Sequence, residues 1–378
     1  MTEAIAAWNP EGQAWLEQQQ GQFPLVAIAL GFTETALIPG ISAAGLTPAD
    51  RRYTALADAE YLYHGPQGKP WHPLPPLQAG LSPTLLSRAC LEALGCPLYL
   101  FDTGLPEPLT VPHLRVGNCP AACLSQGKAL PLAQVEHLWQ AGWQWGQRLA
   151  AASDGYVLIG ECVVGGTTTA LGLLLGLGVA ANGRVNSSHP TCNHQQKQAL
   201  VEQGLRACSL APGVDPLAWV AAIGDPMQPF VAAAALAASA SCGVLLAGGT
   251  QMLAVWSLAA AMLDQHDLPA ALERIAVGTT RWVTEDKTAD LDGLMEAIAQ
   301  RWGQVTSLLA TQLNFSQSPY EGLQRYEAGY VKEGMAAGGL CIASGLGLDW
   351  SLADLRHSIE HQVDRYTFWR SQWASLGG

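Results

Sequence analysis

The stretch "GYVLIGECVVGGTTTALGLLLGLG" (155–178) runs from an apolar segment through paired glycines and three threonines into a long uncharged tail. Two folds compete for it. One is a buried strand that hands over to a helix, with glycines at the turn. The other is a membrane span, which needs about 20 apolar residues. Residues 162–183 and 226–263 carry no charge and satisfy that length. However, the first opens on "GGTTT", and the second contains Pro229, "ASASCG" and "AGGTQM". Neither has the Lys/Arg clusters expected at membrane borders. Both stretches break where a strand would pass into a helix, so a buried α/β core is expected and no membrane association.

Outward from this stretch, the same pattern recurs. "FPLVAIALGFTET" (23–35), "CPLYLFDTG" (96–104), "AWVAAIGDP" (218–226), "CGVLLAGGT" (242–250) and "RIAVGTT" (274–280) are short apolar runs ending in Gly, Asp, Thr or Glu. Uninterrupted apolar runs suit parallel strands covered on both faces. Between them, "PLAQVEHLWQAGWQWGQRLAAA" (131–152) sets Val135, Leu138, Gly142, Trp145 and Leu149 on one helical face. "TQMLAVWSLAAAML" (250–263) and "LDGLMEAIAQRWGQVTSLLA" (291–310) read as two further helices. The alternation predicts an α/β fold with a doubly wound, mostly parallel, Rossmann-like sheet. Residues 23–310 are expected to form this large domain. Residues 1–22 and 311–378 read as helical and are expected to pair in a small domain made from both termini.

Composition narrows the function. The chain has 378 residues, of which 13% are charged, and a net charge of −12. The acidic balance argues against nucleic acid as a partner, whose phosphates attract basic surfaces. So little charge for so large a surface predicts a subunit interface. Nine cysteines without a CxxC pair read as reduced thiols of a cytoplasmic protein.

In an open α/β sheet, ligands bind beyond the carboxyl ends of the strands. At the opening stretch, glycines permit close backbone approach, and a helix N-terminus offers unpaired N–H groups to an anion. A Walker A loop requires GxxxxGK[ST]; here "GECVVGGT" (160–167) puts Gly166 where the lysine belongs. A single phosphate held by Gly165, Gly166, Thr167 and Thr168 fits better than a triphosphate. A threonine cap on a buried helix is the alternative. Glu161 stands beside this loop, where a carboxylate suits sugar hydroxyls. Asp225 and "GGTQ" (248–251), with Gly248 and Gly249, are expected at matching strand ends. "GRVNSSHP" (183–190) offers Arg184, Ser187 and Ser188 as further phosphate ligands.

A second constellation is "RYEAGYVKEGMAAGGLCIA" (325–343), where Glu333 precedes Gly334 and a run of small residues that can admit a flat ligand. A desolvated Glu333 would have the raised pKa of a general base; a solvated Lys332–Glu333 pair is the alternative. "HSIEH" (357–361) and the His189, Cys192 and His194 of "HPTCNH" lack the remaining ligands of a zinc site, so no metal is expected.

"IGECVVGGTTTA" (159–170) resembles the "GEMGIxNTT" loop of nicotinate-nucleotide–dimethylbenzimidazole phosphoribosyltransferases, and "YVKEGMAAGGL" (330–340) resembles their late "RLGEGxGAAL" segment. The resemblance covers roughly residues 150–345 and is closest to a branch of that superfamily found in cyanobacteria and archaea. It implies transfer of ribose 5-phosphate from nicotinate mononucleotide to an aromatic base in cobamide lower-ligand synthesis. Glu333 would be the general base, Glu161 would line the site, and Gly165, Gly166, Thr167 and Thr168 would hold the phosphate. It further implies a homodimer with shared sites, and neither metal nor cofactor. The loop departs from the family at Gly166, where asparagine is usual. "PGISAAGLTPADRRYTALADAEYLYHGP" (39–66) stands where the base-binding segment belongs, so the acceptor base stays open. The competing reading is a non-catalytic binder of a nucleotide or cobamide precursor on the same fold.

Overall fold

A computed structural model of the chain describes residues 3–77, 79–211 and 213–375. Its centre is one eight-stranded sheet. The strands are β1 (Ile5–Ala7), β2 (Pro24–Gly31), β3 (Leu98–Gly104), β4 (Leu114–Arg115), β5 (Tyr156–Cys162), β6 (Val244–Ala247), β7 (Ile275–Thr280) and β8 (Ser307–Thr311). Their order is β1-β8-β7-β6-β5-β2-β3-β4, parallel throughout except for the antiparallel edge pair of β1 and β8. This is the doubly wound α/β architecture the sequence predicts.

Alternate residues of each strand enter opposite cores, as the pleat requires. Leu25, Ala27 and Ala29 face one core, with Val157 and Ile159. Val26, Ile28 and Leu30 face the other, with Tyr156 and Leu158. Fourteen helical segments supply the layers. They are α1 (Pro10–Gln19), α2 (Pro48–His64), α3 (Thr84–Leu94), α4 (Leu132–Ala152), α5 (Gly166–Gly176), α6 (His194–Cys208) and α7 (Pro216–Ile223), followed by α8 (Met227–Ser239), α9 (Thr250–Gln265), the single turn α10 (Arg281–Thr284), α11 (Leu291–Trp302), the single turn α12 (Glu321–Gln324), α13 (Ala337–Leu348) and α14 (Leu352–Ser375). Residues of α4 to α9 and α11 fill the first core. Residues of α1 to α3 and of α13 and α14 fill the second.

Three segments differ from expectation. Residues 218–226 are not a strand: Pro216 occupies the first helical turn and Asp215 caps it, its Oδ1 accepting from the Leu217 N–H at 2.8 Å, so α7 forms. The helix expected over 291–310 stops at Gly303, whose φ of 68° is the left-handed C-cap, and the chain then enters β8. The N-terminal segment is helical only in α1; Ile5–Ala7 pairs with Leu309–Thr311 as an edge strand. All nine cysteines are free thiols. Among the described residues, no helix is long and apolar enough to cross a membrane.

The helical face predicted for α4 is the one that is buried, and its glycines decide the packing. A Cβ on Gly142 would lie 2.2 Å from the Phe230 carbonyl oxygen, and one on Gly146 would lie 2.3 Å from that of Ala234. Helices α4 and α8 therefore meet backbone to backbone. Gly142→Val is expected to lower stability by about 2 kcal/mol through overpacking, measured by urea denaturation. An unchanged midpoint would show that the helices do not touch there.

Candidate active site

Connections leave β2 and β5 in opposite directions along the sheet, so their carboxyl ends part and open a crevice. A cavity of about 130 Å³ lies there. Glu161, Gly165, Thr167, Ser187, Ser188, Gly249, Glu333 and Gly334 all line it. The two motifs, some 170 residues apart in sequence, thus meet in one place.

Glu161 ends β5, and its Oε2 accepts from the Val163 N–H at 2.9 Å. The chain then turns through Gly165, at a φ of 82°, into the N-terminus of α5. Gly166 is needed for packing: a Cβ there would meet Gln251 Oε1 at 2.4 Å. Thr167 faces the cavity, whereas Thr168 is fully buried, outside the lining, and its hydroxyl has no partner. The Thr169 hydroxyl donates to Asp225 Oδ2 at 2.5 Å. Asp225 lies between α7 and α8 rather than at a strand end; it caps α8 by accepting from Met227 N–H and does not line the cavity. Gly248 lies behind Glu161, where a Cβ would stand 3.6 Å from Oε1.

Glu333 is held by three donors. Its Oε1 accepts from the N–H groups of Gly334 and Gly338, both at 3.1 Å, and its Oε2 from the Thr279 hydroxyl at 3.2 Å. Lys332 does not pair with it. The Lys332 ammonium turns the other way, donating to Asp286 Oδ2 at 2.7 Å and to the carbonyls of His189 and Ser187 at 2.8 and 3.0 Å. On either side of Glu333 and Gly334, Val331, Lys332, Met335 and Ala336 have φ between 49° and 68°. Left-handed backbone is costly for such residues, a β-branched valine above all. The ammonium contacts and the Thr280 hydroxyl, which donates to the Lys332 carbonyl at 2.6 Å, hold it there.

Ser187 and Ser188 reach the cavity with their hydroxyls engaged. Ser187 Oγ donates to Asn193 Oδ1 at 3.0 Å, and Ser188 Oγ accepts from the Ala43 N–H at 2.9 Å. Arg184 instead pairs with Asp290 at 3.3 Å and does not line the cavity. His189, Cys192 and His194 bond to Gly40, Asp286 and Thr288 respectively. Among the described residues no cluster of three His, Cys, Asp or Glu side chains is arranged to hold a metal.

Comparison with known proteins bears on the family and the fold. A UPF0284 protein of Nostoc sp. is 52% identical over 371 residues, covering 94% of this chain and 97% of its own. One from Gloeothece citriformis is 54% identical over 352 residues, 93% of this chain and 94% of its own. The chain belongs to the UPF0284 family. A family model described as phosphoribosyltransferase matches residues 87–273. The crystal structure of nicotinate-nucleotide–dimethylbenzimidazole phosphoribosyltransferase from Thermus thermophilus superposes with a TM-score of 0.57 at 19% identity, covering 90% of this chain and 88% of that one. The fold is therefore shared with that superfamily, as the two motifs indicated.

The cavity also holds residues that sequence reasoning did not select. Ser42, Ala43, Ala44, Thr54 and Asp58 come from the very segment, 39–66, that had no match. A signal for it was present. Thr47 and Asp50 form a reciprocal capping box, with Pro48 in the first turn, and start α2, which carries Thr54 and Asp58. Ser82, Pro83, Gln251 and Asn186 complete the wall. The glycines after Glu333 serve packing rather than ligand entry: a Cβ on Gly338 would lie 2.2 Å from the Thr279 carbonyl carbon, and one on Gly339 2.3 Å from Ala247 Cβ.

Burial dominates the electrostatics. It pushes the Glu161 carboxyl up to about 8, helped by the charges of Asp225 and Glu333. It raises Glu333 to about 7, and Asp58 and Asp225 to about 6 each. In each case the folded-state pKa exceeds the unfolded value, near 4. The folded state therefore keeps protons that the unfolded chain releases, and stability contributed below about pH 4 is lost as pH rises through 6 to 8. The parent protein should lose more stability between pH 5 and 8 than Glu161→Gln, which should be the more stable of the two at pH 8. Urea midpoints at both pH values check this; a parallel decline in the two proteins would remove Glu161 as a buried acid.

Proposed function

We propose that this chain is a phosphoribosyltransferase that moves ribose 5-phosphate from nicotinate mononucleotide to a nitrogenous aromatic base. The observation that carries this reading is Glu333: a carboxyl raised to about 7, fixed by two backbone N–H groups and a hydroxyl, on the wall of the same cavity as the N-terminus of α5. A group poised near neutral pH accepts a proton efficiently.

In the reaction, the base nitrogen attacks C1′ as its N–H proton passes to a Glu333 oxygen. The C1′–N bond to the pyridinium breaks, its electron pair going to the nitrogen, and neutral-ring nicotinate leaves. The α5 N-terminus receives the phosphate at Thr167, through its N–H and hydroxyl and the positive end of the helix dipole, the Gly166 and Thr168 N–H groups being bonded to the Val163 and Gly165 carbonyls. The backbone at Ser187 and Ser188 flanks that anion site, its hydroxyls being already committed. Burial keeps Glu161 protonated at neutral pH. A cationic pyridinium sugar beside it favours the carboxylate, which in turn stabilises positive charge developing at C1′. A cavity of about 130 Å³ is close to the size that holds a single aromatic ring. The base therefore takes the enclosed part, and the rest of the nucleotide extends toward the mouth.

The same proposal includes a small domain formed from both termini and a cytoplasmic homodimer with shared sites. The low charge and the exposed apolar side chains of Trp71, Leu46 and Phe368 support such an interface.

Base-dependent release of nicotinate from nicotinate mononucleotide tests the activity. Glu333→Gln should reduce that release by about 10²- to 10⁴-fold, with nucleotide affinity nearly unchanged. Release at the parental rate would exclude Glu333 as the base, and no release with any base would favour a nucleotide-binding protein. Thr167→Ala should weaken nucleotide binding about fivefold, the loss of one hydrogen bond; equal affinity by calorimetry would take the threonine out of the phosphate site.

A further inference from the structure

Asp58 has no part in the chemistry above, yet it stands in the wall of the cavity. It lies one turn after Thr54 on α2, and its side chain is buried. Oδ1 accepts from the Ser82 hydroxyl at 3.1 Å and Oδ2 from the Cys162 thiol at 3.6 Å. Both donors are neutral, and among the described residues no Lys, Arg or His pairs with it. Its neighbours on the wall include the apolar Pro75, Leu77, Pro83 and Met335.

A carboxylate in such surroundings is costly unless something satisfies it. Helix capping does not require it, because Ser82 Oγ itself accepts from the Thr84 N–H at 3.2 Å. The Thr84 hydroxyl also reaches the carboxyl. An ionised carboxylate offers about four acceptor positions, of which these three neutral donors leave one. Asp58 and Glu333 line the same cavity of about 130 Å³. Pro83, on the same wall, packs against the turn that bears Glu333: a Cβ on Gly334 would lie 2.8 Å from Pro83 Cγ. A ring placed against Glu333 in this small cavity thus comes within the surroundings of Asp58.

We infer that Asp58 is a specificity residue: it selects an acceptor ring that carries a second hydrogen-bond donor, an exocyclic amine or hydroxyl, besides the N–H taken by Glu333. The inference rests on the transferase reading for the identity of the ring and extends it to the acceptor's chemical class. A ring without that donor would leave the remaining acceptor position of a buried carboxylate unfilled, which weakens binding of the poorer analogue.

The test is calorimetric binding of paired bases to the full-length protein saturated with nicotinate mononucleotide. Adenine and purine differ by one amino group, and 5-hydroxybenzimidazole and benzimidazole by one hydroxyl. The parent should prefer the donor-bearing member of each pair by about tenfold or more. Asp58→Leu should abolish the preference, and Asp58→Asn, which retains the shape but not the charge, should reduce it severalfold. Unaltered nucleotide affinity verifies the fold of each variant, and a purely structural Asp58 would leave the ratios alone. Equal affinities in the parent, no binding of any base, or a preference that survives in both variants would overturn the inference. Nicotinate release, followed separately, isolates the two claims: a binding preference without release would sink the transfer reading and leave the selectivity of Asp58 standing.

Discussion

Helix α13 rests directly on the strands because residues at the contact lack a Cβ or carry only a methyl group. Gly160 on β5 faces Ala336, whose Cβ would sit 2.4 Å from any added side chain, and Gly338 and Gly339 lie against β7 and β6. Close packing of this kind tolerates no extra methylene. The consequence is positional. The turn before α13 is pressed onto the carboxyl ends of the strands, so Glu333 arrives in the crevice that the parting of β2 and β5 creates. Larger residues would lift α13 and carry Glu333 away from Glu161. The rest of the site presupposes this contact.

Within the crevice the charges follow from burial rather than from pairing. Asp58, Glu161 and Glu333 share one cavity, and the ammonium of Lys332 is already committed to Asp286. Lys197, fully buried, has its pKa pulled down to about 7 and donates to the Asn186 carbonyl. In the proposed reaction, anion binding would therefore fall to Thr167 and the α5 dipole, which need no side-chain charge. That arrangement reconciles a chain of net charge −12 with a phosphorylated ligand. It also leaves the carboxyls free to favour positive charge on a sugar.

Much of this was legible in the sequence, for identifiable reasons. Strands buried on both faces read as plain apolar runs, so β2, β3, β5, β6 and β7 were visible, and the face of α4 was legible from its period of 3.6. Where an apolar run was short, local capping decided what periodicity could not: Asp215 and Pro216 turned 218–226 into a helix. Edge strands as brief as β1 and β4 carry too few residues to show a pattern. The conversion of 305–311 to strand depended on Gly303. At the site, glycines were read as ligand-facing, but Gly166, Gly338 and Gly339 are small because protein atoms crowd them. Sequence shows that a residue is small, not what presses on it. Asp58 was missed because its carboxyl becomes part of the site only when α2 folds against the strand ends.

The turn carrying Glu333 joins these strands of argument. Four left-handed non-glycine residues around it each carry strain of order 1–3 kcal/mol. Such a conformation persists only where its surroundings impose it. Here they do so through Lys332, whose ammonium grips Asp286 and, at the same time, the carbonyls of Ser187 and His189. The Val331 N–H adds a bond to the Ser188 carbonyl at 3.1 Å. The Ser187–His189 loop and the turn that bears Glu333 are therefore one mechanical unit. In the proposed reaction, a rigid unit of this kind would fix the distance between the phosphate and the carboxylate that takes the proton of the base. Orientation held in advance lowers the entropic cost of bringing two substrates together. Under the transferase proposal, the strain is the structural counterpart of holding two ligands in register.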